Sequence, residues 1–452
     1  MHDELCFMPA SALRERIGRR EVSPVEVMQA VLSRVEALQP ALNCFITVCA
    51  ETALDDARAA EAKVMRGEPL GPLHGVPLAA KDLVNSKGVR TTFGSLLFEH
   101  NVPDQDAVSL ARLKRQGAIL FGKTTTPEFG TKSLTDAPLF GRTRNAWSAA
   151  RTSGGSSGGA AVALAAGLGP LGIATDGGGS TRIPAACNGV VGLKQSIGVV
   201  PHAEVQDAFG VYTYVTPMAR TVADAALMLQ AMAGPDESDP WSLGLAVPDY
   251  VAEARPRGDL RGRRLLFCAA PPGKPIARDV AAAFEGALAR LAALGAELAE
   301  MPGTRFDIEP LWRVINHTTW RARFADMAAR DGNKMSPSLL RQLAQAEHVG
   351  GVDYQQAMFA RAALFRHVQA LLRDADFLVM PTLSRTALPI EQELFDPIEI
   401  DGVAYADLRS NWFPWTMPFN LTGHPAITVP CGADAEGLPI GLQIVGRFRA
   451  DA

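Results

Sequence analysis

The sequence predicts an α/β fold in which helices pack on the faces of a β-sheet. Segments with apolar residues at three- and four-residue spacing alternate along the chain with short apolar runs bounded by Gly and Pro, the pattern of such folds. The 452 residues are 47% hydrophobic and 20% charged, which is the composition of an ordinary globular protein that can bury a large core.

The N-terminal part of the chain predicts four helices and two strands. Ser23 and Pro24 supply an N-cap and a first helical residue for the second helix. Lys81 follows an apolar run and therefore stands near the end of a predicted strand. The predicted helices cover 11–18, 24–38, 51–66 and 106–117, and the strands lie within 71–84 and at 118–122.

The middle of the chain contains a long loop and then a glycine-rich turn. Residues 123–158 show little periodicity, and a loop of this length is usually functional or disordered. A small-residue helix at 159–167 precedes a buried strand at 171–175, and this strand runs into the turn at 176–180. A further apolar run lies at 190–194.

The second half of the chain begins with a polar, Pro/Gly-rich stretch at 235–263, which we interpret as an excursion between subregions. The chain stops at Ala452, soon after the apolar run 440–445, where an α/β chain would often close with a helix. This is consistent with a native chain that extends beyond Ala452. Predicted strands lie at 264–270, 297–301 and 377–380, and predicted helices lie at 277–294, 309–329 and 354–373.

Charge and cysteine content argue against several classes of protein. A net charge of −4 gives no reason to expect nucleic acid or an anionic membrane as a partner. Residues 1–10 lack an apolar core of signal-peptide length, and no stretch reaches the roughly 18 apolar residues of a membrane span. The six cysteines are scattered without a CxxC pair, which favours buried thiols in the cytoplasm over disulfides or a zinc site.

Two glycine-serine clusters, at 154–159 and 176–182, predict one serine-based site. Flexible surface loops are the alternative, but a linker would not need the apolar alanine-rich segment that separates the clusters. Backbone N–H groups at 177–180 can form a nest that binds a developing oxyanion, and such a donor is worth on the order of 3 kcal/mol. A serine hydroxyl such as that of Ser180 also needs a base within hydrogen-bond reach.

Two other interpretations of the clusters are disfavoured. Residues 154–158 match the G-x-S-x-G nucleophile elbow, with His424 as a later histidine, but that motif requires a strand immediately before it. Here the preceding 145–152 is a polar loop. A phosphate-binding P-loop is also disfavoured, because neither cluster is followed by Lys-Ser or Lys-Thr.

The two glycine-serine clusters belong to a longer series of motifs, which lie at 23–27, 42–45, 71–77, 81–82, 122–124, 127–130, 154–159, 175–185, 189–194, 418–420, 423–426 and 437–443. Taken together, these motifs resemble those of the amidase signature family. The resemblance covers nearly the whole chain and is most specific between residues 70 and 200.

This resemblance implies a large mixed twisted β-sheet covered by helices on both faces, within a single domain that spans 1–452. Helices would occupy 1–70 and the signature core 71–225. A less regular helical excursion at 235–375 would then return to the core sheet at 376–452. The usual C-terminal helix of the family is missing.

The family's Ser–cis-Ser–Lys triad falls on Ser180, Ser156 and Lys81. The implied mechanism has neutral Lys81 take a proton from Ser156, which takes one from Ser180, the nucleophile that forms the acyl-enzyme. The cis peptide bond would join Gly155 to Ser156, and no metal or cofactor is implied. The oxyanion hole would comprise the N–H groups of Ser180 and of Gly177, Gly178 and Gly179.

Other residues are assigned from their positions. We expect Asp176 and Arg182 to brace the nucleophile loop, and Ser157 either to assist Ser156 or to cap the following helix. Gly130 and Thr131 are predicted to leave room for substrate. An aromatic cluster is predicted either to line the acyl pocket or to belong to the core: Trp412, Phe413, Trp415 and Phe419.

The predicted activity is hydrolysis of a small carboxamide or aryl amide, with the small-molecule amide as the expected partner. A glutaminase-type subunit of an amidotransferase acting on charged tRNA is the first alternative, and it would need partner subunits. A non-catalytic binding protein on the same scaffold is the second. The sequence names neither the amide nor the oligomeric state, and a homodimer stays open.

Overall fold

The computed structural model describes residues 2–256, 258–302, 306 and 308–452. Its centre is an 11-stranded mixed sheet, which confirms the predicted fold class. In the described residues the strands are β1 Phe45–Val48, β2 Pro77–Lys81, β3 Ile119–Thr124, β4 Asp136–Ala137, β5 Gly141–Arg142, β6 Leu171–Asp176, β7 Val191–Lys194, β8 Tyr214–Ala219, β9 Arg264–Phe267, β10 Glu297–Glu300, β11 Phe377–Pro381, β12 Ile398–Ile400, β13 Val403–Tyr405, β14 Ala426–Ala433 and β15 Pro439–Gly446.

Fifteen α-helices occur in the same described ranges. They are α1 His2–Phe7, α2 Ala10–Gly18, α3 Pro24–Leu42, α4 Ala50–Met65, α5 Val108–Arg115, α6 Gly158–Ala165, α7 Arg182–Asn188, α8 Val222–Met232, α9 Tyr250–Glu253, α10 Arg278–Ala293, α11 Glu309–Asp331, α12 Pro337–Gln345, α13 Gly351–Leu371, α14 Leu408–Trp412 and α15 Met417–Thr422. None of these helices is both long and apolar enough to cross a membrane.

The sheet has the order β1-β3-β2-β6-β8-β7-β14-β15-β11-β9-β10, while β4 and β5 form one separate two-stranded sheet and β12 and β13 form another. Strand β2 runs parallel to both β3 and β6, and β6 pairs antiparallel with β8. The register places Ala80 opposite Ile173. Because β2 and β6 are parallel, their carboxyl ends meet at one edge of the sheet.

Helices cover both faces of the sheet, as the alternation of its buried side chains shows. In β2, Leu78 and Ala80 pack into a core that includes Leu110 of α5 and Leu229 of α8. Ala79, between them, packs on the opposite face into a core shared with α3, α4 and α6.

Several element boundaries differ from the sequence predictions. Helix α3 extends beyond the predicted end at Leu38, through Pro40 to Leu42, although a proline inside a helix removes one backbone hydrogen bond. The predicted loop 123–158 contains the short β4–β5 pair and a 3-10 turn at Glu128–Gly130. The stretch 235–375 contains helices and also supplies β9 and β10 to one end of the main sheet.

Candidate active site

Lys81 is fully buried at the carboxyl end of β2, and its amine contacts three hydroxyl groups. Nζ lies 2.6 Å from Ser156 Oγ and 2.9 Å from Ser157 Oγ. It also lies 2.8 Å from Thr175 Oγ1, on the neighbouring strand β6. Burial lowers the pKa of Lys81 well below its usual range, and the negative charge of Asp176 only partly opposes this effect.

Ser156 lies in a loop that requires glycine at position 155. The Gly155–Ser156 peptide bond is cis, as the family resemblance implied. A Cβ on Gly155 would lie 2.8 Å from the Ser133 carbonyl carbon, so no larger residue fits there. Thr135 Oγ1 holds the loop by donating to Gly154 O at 2.8 Å and by accepting from the Gly158 N–H at 3.1 Å.

Ser157 contacts Lys81 rather than capping a helix. Its Oγ donates to Thr175 O at 3.2 Å, so the same hydroxyl must accept its hydrogen bond from Lys81 Nζ. It makes no side-chain cap bond to α6, which excludes the capping role that was one of its two predicted roles.

Ser180 lies in the turn between β6 and α7. It is partly exposed, whereas Ser156 is 1% exposed, and both residues line the same cavity. Within the described ranges, the backbone N–H groups of Gly177, Gly178 and Ser180 donate to no other group. The Gly179 N–H instead donates to Asp176 Oδ1 at 2.6 Å, which corrects its predicted place in the oxyanion hole.

Asp176 and Arg182 form a fully buried ion pair beneath this turn. Arg182 Nε and Nη2 each donate to an Asp176 carboxylate oxygen at 3.0 Å, in a bidentate arrangement. Burial alone would raise the pKa of Asp176, but the Arg182 charge and hydrogen bonds from Arg182 and Asn420 hold it well below its usual range. Arg182 Nη1 also donates to Thr416 O at 2.9 Å and to Gln443 Oε1 at 2.7 Å.

Two residues that the sequence analysis missed hold the glycine carbonyls of the turn. Trp312 Nε1, on α11, donates to Gly177 O at 3.0 Å. Thr416 Oγ1 donates to Gly178 O at 2.7 Å. These contacts fix the orientation of the two carbonyl groups. No local motif announces them, because both partners lie far from the turn in sequence.

The cavity in front of Ser180 has a volume of about 400 Å³. Gly130 and Thr131 line it, as predicted, and a Cβ on Gly130 would lie 3.3 Å from Ser156 Oγ. Its aromatic walls come from four parts of the chain and comprise Phe93, Phe129, Trp312, Trp320 and Phe413.

Two residues predicted for the pocket lie elsewhere. Trp412 and Phe419 are fully buried in a large hydrophobic core and do not line the cavity in the described structure. The indole of Trp412 donates to Arg385 O at 3.1 Å. The prediction that Trp412 and Phe419 line the pocket is therefore wrong, and within the described residues Phe413 is the one member of the aromatic cluster that lines the cavity.

His424 takes no part in the site. It is buried against Phe365 and Phe448, its Nδ1 lies 2.9 Å from Thr422 Oγ1, and it is not one of the residues that line the cavity in the described structure. The geometry therefore does not place His424 where it could act as the base of a G-x-S-x-G elbow.

Comparison with known proteins agrees with this geometry. The sequence profile of the family described as Amidase matches residues 26–452. An acylamidase of Rhodococcus erythropolis is 37% identical, and the alignment covers 99% of this chain and 93% of the relative. One subunit of the glutamyl-tRNA(Gln) amidotransferase of Salinispora arenicola is also 37% identical, with 99% and 95% covered.

A solved structure extends the likeness to the fold. The crystal structure of a bacterial aryl acylamidase belonging to the amidase signature enzymes superposes with a TM-score of 0.89 at 27% identity. The superposition covers 98% of this chain and 94% of that one.

Proposed function

Because this chain belongs to the amidase signature family, we propose that it is an amidohydrolase that uses a Ser180 acyl-enzyme. It would cleave the C–N bond of a small carboxamide to give a carboxylate and ammonia or an amine. The observation that carries the proposal is the 2.6 Å contact between the buried amine of Lys81 and Ser156 Oγ, beside the cavity that Ser180 lines.

The hydroxyl contacts of Lys81 support its role as the base. A neutral amine has two N–H donors and one lone pair. Ser157 Oγ must accept from Lys81, and donation to Thr175 Oγ1 uses the second N–H. The lone pair is then directed at the Ser156 hydroxyl, from which Lys81 takes a proton as a general base.

Ser156 in turn acts as the base toward Ser180. Ser156 takes the Ser180 proton, the Ser180 oxygen forms a bond to the amide carbon, and the C=O π electrons move to the oxygen. The free N–H groups of Gly177, Gly178 and Ser180 are the donors we assign to that oxyanion. As the C–N bond breaks, Ser156 returns a proton to the leaving nitrogen, and water then hydrolyses the acyl-enzyme.

Asp176 and Arg182 act in this scheme as positioning residues. Both are fully buried, and neither lines the cavity in the described structure, so they hold the nucleophile turn rather than contact substrate. Gly130 and Thr131 border the space beside Ser156.

A glutaminase-type subunit of an amidotransferase is the second candidate. The 37% identity to the glutamyl-tRNA(Gln) amidotransferase component favours it as directly as the acylamidase favours the first. Its half-reaction is also amide hydrolysis, so the same residues would serve. Purified protein that hydrolyses anilides without a partner supports the stand-alone amidase, whereas activity confined to glutamine supports the amidotransferase component.

Labelling with a fluorophosphonate tests the nucleophile directly. We expect one adduct, mapped by mass spectrometry to Ser180, and a loss of about 10⁴-fold or more in kcat for Ser180→Ala. Ser11→Ala, at an exposed serine of α2, is the matched control and should keep both the adduct and the activity. An adduct on Ser156, or activity that survives Ser180→Ala, contradicts the assignment.

A further inference from the structure

Asn316 of α11 is a buried residue that lines the catalytic cavity and has an unused hydrogen-bond donor. It is 2% exposed. The Tyr212 hydroxyl donates to its Oδ1 at 2.6 Å. Its Nδ2 has no hydrogen-bond partner in the described structure. A buried amide nitrogen left without a partner costs about 1–3 kcal/mol, so its presence calls for an explanation.

Tyr212 occupies one end of the Asn316 amide. Tyr212 is buried in the hydrophobic core and does not line the cavity in the described structure. Because its hydroxyl occupies Oδ1 from the core side, Nδ2 is the polar atom of Asn316 that is left for a ligand.

The place of Asn316 on α11 relates it to the nucleophile turn. Trp312, one turn earlier, donates to Gly177 O, and Trp320, one turn later, also lines the cavity. The two indoles contact each other edge to face, with centroids 6.0 Å apart. Since α-helical residues four apart are separated by about 6 Å along the axis, Asn316 lies roughly one turn beyond the contact with Gly177.

We infer that Asn316 selects amides that carry a hydrogen-bond acceptor on a planar group, at the far side of that group from the scissile carbonyl. Nδ2 donates to the acceptor, and Trp312 and Trp320 contact the planar group. The distance along α11 between the Gly177 contact of Trp312 and Asn316 corresponds to the length of one substituted benzene ring. This inference rests on the proposed amidase function and names the substrate class of the same cavity.

Matched substrate pairs test the inference. One pair is para-acetylbenzamide and para-isopropenylbenzamide, which differ by C=O in place of C=CH₂. The other is the corresponding pair of acetanilides, so that either side of the scissile bond can occupy the cavity. The readout is the ratio of kcat/KM within each pair, compared between variants, because the electronic effect of the substituent then cancels.

For Asn316→Leu we expect this ratio to fall by about threefold to tenfold in at least one pair, the effect of one lost neutral hydrogen bond. Asn316→Ala also removes the donor but leaves a smaller side chain, so the ratio should fall by a similar factor. Asn333→Leu, at an exposed asparagine just after α11, is the matched control and should leave both ratios unchanged.

Unchanged ratios in both Asn316 variants, or an equal fall in Asn333→Leu, overturn the inference. If Asn316→Leu does not fold, Asn316→Ala decides. If the wild type turns over none of the four amides, the readout becomes the protection of Ser180 from fluorophosphonate, and equal protection by both members of each pair overturns the inference. Hydrolysis of unsubstituted benzamide with labelling of Ser180 would leave the proposed function standing after such a failure.

Discussion

At the residue scale, the proposed chemistry requires that Lys81 is neutral. Its amine lies in a buried site with three hydroxyl contacts and no carboxylate in contact with it in the described structure. Such a site disfavours the ammonium ion, because three hydroxyls do not replace the full hydration of a charge.

The lowered pKa of Lys81 predicts the pH dependence of kcat/KM. In the proposed mechanism Lys81 must be neutral to act as the base, so activity should be present at neutral pH and should fall on acidification as Lys81 gains a proton. Lys81→Met should reduce kcat by about 10³-fold or more at every pH, whereas Lys87→Met, at an exposed lysine, should keep the wild-type profile. An acid limb near the ordinary lysine pKa of about 10.4 would contradict this account.

The contacts of Lys81 show which residues of the site could be predicted from the sequence and which could not. Lys81 and Ser156 were found from motif positions, and their contact is close. Thr175 was not assigned a role, because its hydroxyl reaches Lys81 only through the pairing of β2 with β6. The local sequence patterns do not indicate which strands pair with each other in the sheet.

At the element scale, the unit formed by β6, the glycine turn and α7 sets the position of Ser180. The turn is held from below by the Asp176–Arg182 pair and from the sides by Trp312 and Thr416. Gly179 has φ of +123°, and a Cβ there would lie 2.4 Å from Thr416 Oγ1, so the turn depends on glycine at this position.

Removal of Arg182 should disrupt the whole unit. Arg182→Met leaves the Asp176 carboxylate buried without its partner, and we expect a loss of about 3–5 kcal/mol in the free energy of unfolding. Arg19→Met, which breaks the exposed Arg19–Glu15 pair, should cost no more than about 1 kcal/mol. Chemical denaturation measures the free energy of unfolding of both variants. Equal losses in the two variants would contradict the expectation that the buried pair contributes more to stability than the exposed one.

For helix α11, the sequence predicted the bounds of the helix but not the side that lines the cavity. Helix α11 was predicted at 309–329 from its apolar spacing, and the structure has it at Glu309–Asp331. That spacing does not say which of its aromatic residues face the substrate. Trp312 and Trp320 line the cavity while Phe324 is buried against Met335 and Leu339, because α11 packs between the cavity and α12.

At the scale of the whole molecule, burial of neutral histidines should make the protein sensitive to acid. Burial, together with the nearby Arg409 and Arg313 charges, lowers the pKa of His317 to about 2, and neither of its ring nitrogens has a hydrogen-bond partner in the described structure. Burial, with the charge of Lys194, also lowers the pKa of His424 to about 3.

The sign of the effect follows from proton uptake. Below pH 6.5 the unfolded chain gains a proton on each of these histidines before the folded protein does. The free energy of unfolding therefore falls with decreasing pH, by up to about 1.4 kcal/mol per pH unit for each histidine. His317→Phe should reduce this slope between pH 6.5 and about 3, and exposed His100→Phe is the control. Denaturation midpoints across that range would refute the prediction if His317→Phe and wild type keep the same slope.

The sequence by itself determined the α/β class and the family, and it predicted that Lys81, Ser156 and Ser180 belong to one site. Periodicity and local motifs carry this information, because they report backbone conformations that neighbouring residues impose. Tertiary structure decided the rest. In the folded protein the Gly179 N–H donates to Asp176. Trp412 and Phe419 are buried in the core. Trp312 and Asn316 of α11 line the cavity. Each of these outcomes depends on packing between segments far apart in sequence, and packing determines which side of an element faces substrate.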